Sequence, residues 1–269
     1  MVQAVQQPQQ FGPFLLLARL GQGGMGAVYR ARDTRTNRYV ALKVMKSPGQ
    51  DGDEMVERFR REANASIAIK HPNIVEGIEF GQASNGMWYF AMELMNGGDL
   101  TERIKRAGKL PEAEALEIGK KIASGLAAAH ERSLIHRDIK PENIMFADGE
   151  PKISDMGLVK QVSGDAAALT AAGVAMGSPH YMAPELVQEA KDATSAVDVY
   201  ALGCSIYEMI SGHPVFPGNQ PIDVMMKHME MAIPSPAQTG ECSPALALLL
   251  NQMTAKQAVD RIQTGAQVV

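Results

Sequence analysis

Apolar and polar residues alternate along the first third of the chain, and this two-residue period is typical of β-strands. The pattern predicts strands at residues 14–20, 28–32 and 39–45. Two shorter strands are predicted at residues 78–80 and 88–92. Together these segments predict a small, strand-rich region at the start of the chain.

A helical period appears once among these strands and dominates after them. Residues 53–69 predict a helix with Phe59 and Glu62 on one face. Further along, helices are predicted at residues 112–132 and 197–211, and the second is apolar nearly all round, as in a buried helix. We therefore expect an α+β protein with two lobes, in which a small antiparallel sheet with one helix precedes a larger, mainly helical lobe.

Composition narrows the class of protein. Of the 269 residues 45% are hydrophobic, and the formal net charge of −4 provides no basic field, so we expect no nucleic-acid partner. The two cysteines, Cys204 and Cys242, form no C-x-x-C pattern, which favours a reduced, cytoplasmic protein. No apolar run is long enough to span a membrane, and the glutamine-rich start predicts a flexible leader over residues 1–13.

A glycine cluster joins the first two predicted strands. Its members are Gly21, Gly23, Gly24 and Gly26. Glycine lets backbone approach a phosphate closely, but similar spacings also occur in ordinary hairpins. A dinucleotide-binding turn would open into a helix, and a Walker loop would continue to Gly-Lys-Ser or Gly-Lys-Thr; neither occurs here. A phosphate-covering loop and a plain glycine-rich hairpin both stay open from these residues alone.

One lysine and one glutamate stand at positions that should be half buried. In residues 39–45 the alternation puts Lys43 on the same face as Ala41. Glu62 lies on the apolar stripe of the predicted helix, where an unpaired carboxylate would be costly. The sequence indicates an ion pair between them that also holds nucleotide phosphates, with two solvated surface charges as the alternative.

The densest polar segment is His-Arg-Asp-Ile-Lys-Pro-Glu-Asn at residues 136–143. Phosphoryl transfer needs a carboxylate to position the hydroxyl nucleophile, a cation for developing phosphate charge and oxygen ligands for magnesium. Asp138, Lys140 and Asn143 supply these three kinds of group. Asp155 follows a short predicted strand and is a candidate second metal ligand. A solvated charged turn is the alternative.

With these motifs in this order, the chain resembles the eukaryotic-like protein kinase family, over residues 14–264 and in the style of its bacterial serine/threonine branch. The resemblance implies a two-lobed fold with lobes at residues 14–92 and 98–269, joined by a hinge at residues 93–97. It also implies an ATP-dependent signalling transferase that phosphorylates serine and threonine of protein substrates. The closing motif Ala-Pro-Glu at residues 183–185 supports this likeness.

The resemblance assigns the residues that would contact ATP. They are Leu20, Gly21, Gly23, Gly24, Gly26, Val28, Ala41, Lys43, Met92, Glu93, Met95, Asn143 and Asp155. Lys43 would hold the α and β phosphates, oriented by Glu62. Met92 would be the gatekeeper, and the backbone of Glu93 to Met95 would bond the adenine edge.

The same resemblance divides the catalytic segment by role. Asp138 would be the catalytic base and Lys140 would neutralise charge on the transferred phosphate. Asn143 and Asp155 would bind Mg²⁺, with Mn²⁺ as an alternative. His136 is expected to brace the loop without reacting.

Further residues of the resemblance are structural or regulatory. Glu185 is expected to pair with Arg261, and Asp198 is expected to hold the catalytic-loop backbone. Arg137 would receive a phosphate on the activation segment, with Thr170 as the candidate site of autophosphorylation between self-associated copies. The weaker alternatives are Ser163 and Ser178.

The chain departs from the usual family pattern at Met156, where phenylalanine is common, and an adaptable methionine is expected to fill the same apolar space. The last helix is expected to be short, and the natural protein to continue into a linker and sensor domain. Two other functions stay as alternatives: a catalytically silent pseudokinase scaffold and a kinase of small metabolites. The intact set of candidate catalytic residues argues against the first, and the segment at residues 177–185 argues against the second.

Overall fold

The computed structural model describes residues 3–22, 26–45, 52–156, 179–188 and 193–269. These residues form two compact units. The first unit runs to Asn96 and also contains Asp155 and Met156, and the second holds the other described residues from Gly97 onward. The first is an antiparallel sheet with one helix and the second is mainly helical, which confirms the predicted α+β class.

Six strands form the sheet of the first unit. They are β1 (Gln3–Phe11), β2 (Phe14–Gln22), β3 (Gly26–Asp33), β4 (Tyr39–Met45), β5 (Gly77–Gln82) and β6 (Trp88–Met92). Their order across the sheet is β1-β2-β3-β4-β6-β5, and every neighbouring pair is antiparallel. All five strands predicted from the alternating pattern are present, with bounds that differ by at most two residues at each end.

Strand β1 lies within residues 1–13, so the prediction of a flexible leader there is wrong for Gln3–Phe11. It pairs with β2 across a register shift between Ala4 and Gln9. Phe11, at its end, is buried and meets the Tyr89 ring edge-on, with 6.0 Å between the ring centroids. The pairing depends on backbone groups and on the burial of Phe11 in the apolar cluster of the sheet, so the glutamine-rich sequence carries little sign of it.

The alternation in β4 sorts side chains between two apolar cores. Val40, Leu42 and Val44 pack into a cluster on one face of the sheet. Met45, on the opposite face, packs with Phe59 of helix α1 (Gly52–Ala68) in a second cluster. Because side chains two residues apart share a face, Lys43 projects toward the side of the sheet that α1 covers.

The second unit contains seven helices within its described residues. They are α2 (Leu100–Ala107), α3 (Glu112–His130), α4 (Pro184–Gln188), α5 (Ala196–Ser211), α6 (Pro221–Glu230), α7 (Pro244–Met253) and α8 (Gly265–Val268). A two-stranded antiparallel hairpin, β7 (Ile144–Ala147) and β8 (Glu150–Ile153), lies between α3 and α4 in sequence. Helix α5 is buried along nearly its whole length, as its apolar sequence predicted. None of the described helices is both long enough and apolar enough to cross a membrane.

Candidate active site

The predicted pair of Lys43 and Glu62 is present in the first unit. The Lys43 ammonium lies 2.5 Å from Oε1 of Glu62, whose side chain is only 2% exposed. It also lies 3.4 Å from Oδ1 of Asp155, a carboxylate that is 38% exposed. The alternative of two solvated surface charges is therefore wrong, because neither member of the pair stands in bulk water.

Electrostatics keep this lysine charged. Burial by itself would lower the pKa of Lys43, but the neighbouring carboxylates of Glu62 and Asp155 outweigh burial and leave the pKa raised. The site thus holds a permanent ammonium, fixed by a buried glutamate of α1 and exposed on one side to a second carboxylate. Such a group is suited to bind a phosphate anion.

The strand register gathers several of the predicted nucleotide contacts on one face of the sheet. Val28 pairs with Lys43 across β3 and β4, and Ala41 pairs with Met92 across β4 and β6. Directly paired residues in antiparallel strands share a face. Val28, Ala41, Lys43 and Met92 therefore project on the same side of the sheet, and they form a patch of apolar side chains with one cation.

The glycine cluster lies between β2 and β3 in sequence. Gly21 is near the end of β2, where it pairs with Val28, and Gly26 is the first residue of β3. A Cβ atom added at Gly26 would clash with the carbonyl oxygen of Val44, so close packing of β4 requires this glycine. An added Cβ at Gly21 would meet nothing nearby. Gly23 and Gly24 lie outside the described residues.

After β6 the predicted hinge is fixed to the preceding loop. The backbone N–H of Glu93 donates to the carbonyl of Glu76 at 2.9 Å, and the Glu93 carboxylate accepts from the N–H of Glu76 at 3.2 Å. Met95 is half buried, and Leu20 in β2 is half exposed. Since the Glu93 N–H is engaged, its carbonyl and the backbone of Met95 are the better candidates for contact with a base edge.

In the second unit, one loop brings three predicted catalytic side chains together. The Lys140 ammonium lies 3.1 Å from Oδ2 of Asp138. The Asn143 amide nitrogen donates to the Asp138 carbonyl at 2.7 Å and to its Oδ2 at 3.2 Å. Because the amide nitrogen faces Asp138, the amide oxygen is left to accept a cation. A carboxylate, an ammonium and an amide oxygen thus share one loop.

The backbone of the same loop is held by hydrogen bonds with the side chains of His136 and Asp198. His136 accepts from the Asp138 N–H through Nδ1 at 3.3 Å and donates through Nε2 to the Ser154 carbonyl at 2.9 Å. Both ring nitrogens are engaged and the side chain is buried, which confirms the expected bracing role. Asp198 in α5 is fully buried and accepts from the N–H of His136 at 2.8 Å and of Arg137 at 2.7 Å, as predicted.

Sequence reasoning missed one member of this arrangement. His130, the last residue of α3, lies with Nε2 2.9 Å from Oδ2 of Asp198. A histidine six residues before His136, at the end of a predicted helix, was the available signal. Its significance depends on Asp198, which is distant in sequence, so no local pattern reveals it.

A buried ion pair joins the closing motif to the end of the chain, as expected. Arg261 donates from its two terminal nitrogens to the two carboxylate oxygens of Glu185, at 2.6 and 3.0 Å. The arginine side chain is 0% exposed, and it donates further to the carbonyls of Ala196 and Ala255. The planar guanidinium thus ties α4 to α5 and to the segment after α7.

Met156 and Arg137 are described by the structure, whereas the candidate phosphorylation sites are not. Met156 is buried, in agreement with its expected apolar surroundings. Arg137 has a positive φ of 63° and its Nε is buried without a hydrogen bond to any described residue. The candidate phosphorylation site Thr170 and its weaker alternatives, Ser163 and Ser178, lie outside the described residues.

A buried histidine in α6 gives the protein a testable acid sensitivity. His228 is fully buried, its Nδ1 accepts from the Tyr200 hydroxyl at 2.8 Å, and burial followed by the charge of Lys256 lowers its pKa to about 3. Since the unfolded chain protonates this histidine near its ordinary pKa and the folded chain does not, stability is lost as pH falls from about 6.5 toward 3. We expect a loss of about 1.4 kcal/mol for each pH unit in that window.

Urea unfolding of the parent and of His228→Asn between pH 7.5 and 5 measures this effect. The asparagine oxygen still accepts from Tyr200, so the variant should lose less stability on acidification than the parent. The exposed His213→Asn variant is the matched control and should keep the parent slope. Parallel slopes for the parent and His228→Asn would show that this histidine does not cause the acid sensitivity.

The sequence is similar to one protein family and to several bacterial proteins. Residues 14–268 match the protein kinase domain family. The chain is 36% identical over 258 residues to a probable serine/threonine-protein kinase of Clostridium perfringens, covering 94% of this chain and 37% of that protein. It is 38% identical over 259 residues to the serine/threonine-protein kinase PknA of Mycobacterium tuberculosis, covering 94% of this chain and 59% of PknA. The chain thus spans less than two thirds of the length of these curated relatives.

Proposed function

The chain belongs to the protein kinase family, and we propose that it transfers the γ-phosphate of ATP to serine and threonine hydroxyls of protein substrates. The observation that carries this proposal is the catalytic loop, where Asp138 lies against both Lys140 and Asn143. The related bacterial proteins are named serine/threonine-protein kinases, which supports the choice of acceptor.

In the proposed reaction, Asp138 accepts the hydrogen bond of the substrate hydroxyl and orients its oxygen toward the γ-phosphorus. The bond between that oxygen and phosphorus forms while the bond to the β-phosphate oxygen of ATP breaks, and the hydroxyl proton passes to Asp138. Lys140 stabilises the negative charge that develops on the transferred group. Lys43, held by Glu62, binds the α and β phosphates and so keeps the nucleotide in register.

The remaining nucleotide contacts are proposals of the same kind. The apolar patch of Val28, Ala41 and Met92, together with Leu20, packs on the adenine, and the backbone of Glu93 and Met95 bonds its edge. The glycine cluster covers the phosphates through Gly21, Gly23, Gly24 and Gly26. Gly26 is required by its close packing against Val44, whether or not it covers a phosphate. The proposed contact with the phosphates therefore depends on the other three glycines.

Members of the family use ATP with a divalent metal ion, and the residues present suit that ion. Asn143 offers an amide oxygen and Asp155 a half-exposed carboxylate, which are the oxygen donors that Mg²⁺ prefers. Among the described residues no group of three or more His, Cys, Asp or Glu side chains could hold a metal alone. We propose Mg²⁺, with Mn²⁺ as a substitute; when bound, the ion neutralises phosphate charge.

Regulation and partners follow from the same proposal. We propose that Arg137 receives a phosphate carried by Thr170 after autophosphorylation between two copies of the chain. Phosphopeptide mapping of a fully active sample tests this, since activity with Thr170 unmodified would contradict it. The lobe boundaries at residues 14–92 and 98–269, the hinge at residues 93–97 and a reduced, cytoplasmic setting also stay predictions.

A transfer assay tests the proposed function. The protein is incubated with γ-labelled ATP and Mg²⁺ or Mn²⁺, with and without a generic protein substrate, beside a variant that lacks the Asp138 carboxylate. Label in protein that disappears in the variant supports the proposal. Nucleotide binding without transfer under either metal would instead indicate a pseudokinase, and transfer only to small molecules would indicate a metabolite kinase.

Lys43→Met should sharply reduce activity, because it removes the phosphate-binding ammonium and leaves Glu62 buried without it. We expect a fall of about 10²- to 10³-fold in kcat/KM for ATP. The matched control is Lys70→Met, since Lys70 is 82% exposed, and this variant should keep parent kinetics. Steady-state kinetics at saturating protein substrate measure both, and equal activity of Lys43→Met and the parent would exclude the proposed phosphate contact.

A further inference from the structure

Strand β1 pairs with β2 in two separate stretches, which we call its near arm and its far arm. The near arm, residues 9–11, pairs with residues 14–16 of β2, and the far arm, residues 3–4, pairs with residues 18–19. Between the arms, residues 5–8 of β1 stand against a single residue of β2 and so form a bulge. Because the bulge interrupts the ladder, the far arm can open while the near arm stays paired.

The near arm is anchored to the sheet at its end. Phe11 is buried in the apolar cluster with Tyr89, and Gly12 supplies the positive φ of 53° that a type II′ hairpin turn requires at its first position. The carbonyl of Pro13 accepts from the N–H of Thr34 at 2.9 Å and from its hydroxyl at 2.8 Å. These contacts fix the near arm and the turn, so a change in the far arm leaves them in place.

The ladder between β2 and β3 is irregular opposite the far arm. Register shifts interrupt it between Leu16 and Ala18 and again between Arg19 and Gly21. The two residues of β2 between these shifts, Ala18 and Arg19, are the same two that pair with the far arm on the other side. At this point β2 therefore has a short ladder of two residues on each side, directly before Leu20.

The far arm stabilises this part of β2 because it pairs with the backbone groups on its outer edge. An edge strand leaves N–H and C=O groups unpaired on one side, and a short, irregular ladder opens at little cost in free energy. The next residues of β2 are Leu20, a candidate for contact with adenine, and Gly21, the first residue of the glycine cluster. Opening of the far arm would therefore first loosen residues that we propose to contact the nucleotide.

We propose that the far arm of β1 is a positioning element of the nucleotide site: by pairing with Ala18 and Arg19 it orders Leu20 and Gly21 before ATP binds. This inference rests on the proposed kinase function. Binding to a segment that is already ordered costs less conformational entropy, so the far arm raises the affinity for nucleotide. The catalytic loop belongs to the second unit, so we expect the far arm to affect the binding of ATP more than the rate of transfer.

A pair of prolines tests the far arm within the full chain. Gln3→Pro combined with Ala4→Pro removes both N–H groups of the far arm, so its hydrogen-bonded pair is lost whichever residue donates. The matched control is Gln6→Pro combined with Gln7→Pro, which makes the same chemical change in the bulge, outside the paired residues. Both double variants keep Phe11 and the hairpin turn.

Each variant is titrated with ADP and is assayed for kcat and KM for ATP with Mg²⁺ and a protein substrate. We expect the far-arm variant to raise the Kd for ADP and the KM for ATP at least fivefold, with kcat within twofold of the parent. Amide hydrogen exchange is measured at Gly21 and Val28, which pair with each other and not with β1. Exchange there should accelerate at least fivefold in the far-arm variant, and the bulge variant should match the parent in every quantity.

A Kd for ADP within twofold of the parent in the far-arm variant would overturn the proposal, even with a lower Tm, since a purely structural strand affects stability alone. An equal loss of affinity in the bulge variant would also overturn it, because that variant retains the far arm. A parent protein that binds no nucleotide would count against the proposed function instead. In that case unchanged exchange at Gly21 and Val28 would overturn the positioning role, and accelerated exchange would support it.

Discussion

Asp138→Asn is expected to lower kcat for phosphate transfer by about 10²- to 10⁴-fold, the range that a positioned acid–base group contributes. The substitution removes the carboxylate that accepts the hydroxyl proton. It retains an oxygen to accept from Lys140 and Asn143, which both meet Oδ2 in the structure. Affinity for ATP should change little, because the proposed phosphate contact, Lys43, belongs to a separate ion pair. Kinetics with a protein substrate and direct titration of nucleotide measure the two quantities.

The control for this prediction is Asp223→Asn, which removes one negative charge from an exposed position of α6. It should keep parent kinetics. Similar rates for Asp138→Asn and the parent would remove Asp138 from its proposed role. A parallel loss of ATP binding would indicate that the substitution disturbs the fold and not the chemistry.

Arg261→Met is expected to destabilise the protein by about 3–5 kcal/mol, the usual cost of leaving one partner of a buried ion pair without the other. The guanidinium is fully buried, it pairs in two places with Glu185, and it donates to three backbone carbonyls. Its removal leaves these acceptors unsatisfied as well as the carboxylate. Equilibrium unfolding in urea measures the loss.

Two further variants separate the parts of that cost. Arg261→Lys keeps the charge but not the planar fork, so it should fall between the parent and Arg261→Met. Glu185→Gln combined with Arg261→Met should cost less than the sum of the single changes, because the uncompensated carboxylate is then absent. A loss below about 1 kcal/mol for Arg261→Met would place this pair with surface ion pairs, which stabilise little.

The parts of this protein that the sequence predicted are those where local pattern and physical need coincide. The two-residue period in β4 placed Lys43 on the face that α1 covers, and helical spacing placed Glu62 on the buried stripe of α1. Each charge required an opposite one in a half-buried place, so the pair could be inferred before any geometry was known. The polar loop at residues 136–143 was predictable for a similar reason. Its carboxylate, ammonium and amide are the three kinds of group that phosphoryl transfer needs.

The parts that escaped prediction depend on contacts between distant segments. Strand β1 is glutamine-rich and is held by pairing with β2 and by Phe11 against Tyr89. His130 becomes meaningful through Asp198, which lies 68 residues away in sequence. A packing cause for Gly26 emerged because Val44 of another strand approaches its backbone. Hydrophobic periodicity predicts one helix or strand at a time and does not predict contacts between residues that are distant in sequence.

Transfer of phosphate to protein and not to water is tested most directly by measuring two products in one reaction. ADP formed and phosphate incorporated into protein are counted together with γ-labelled ATP, Mg²⁺ and a protein substrate, followed by phosphoamino-acid analysis. We predict about one protein-bound phosphate for each ADP, found on serine and threonine. ADP formed without protein-bound phosphate, or no turnover at all, would contradict the proposed transfer to protein.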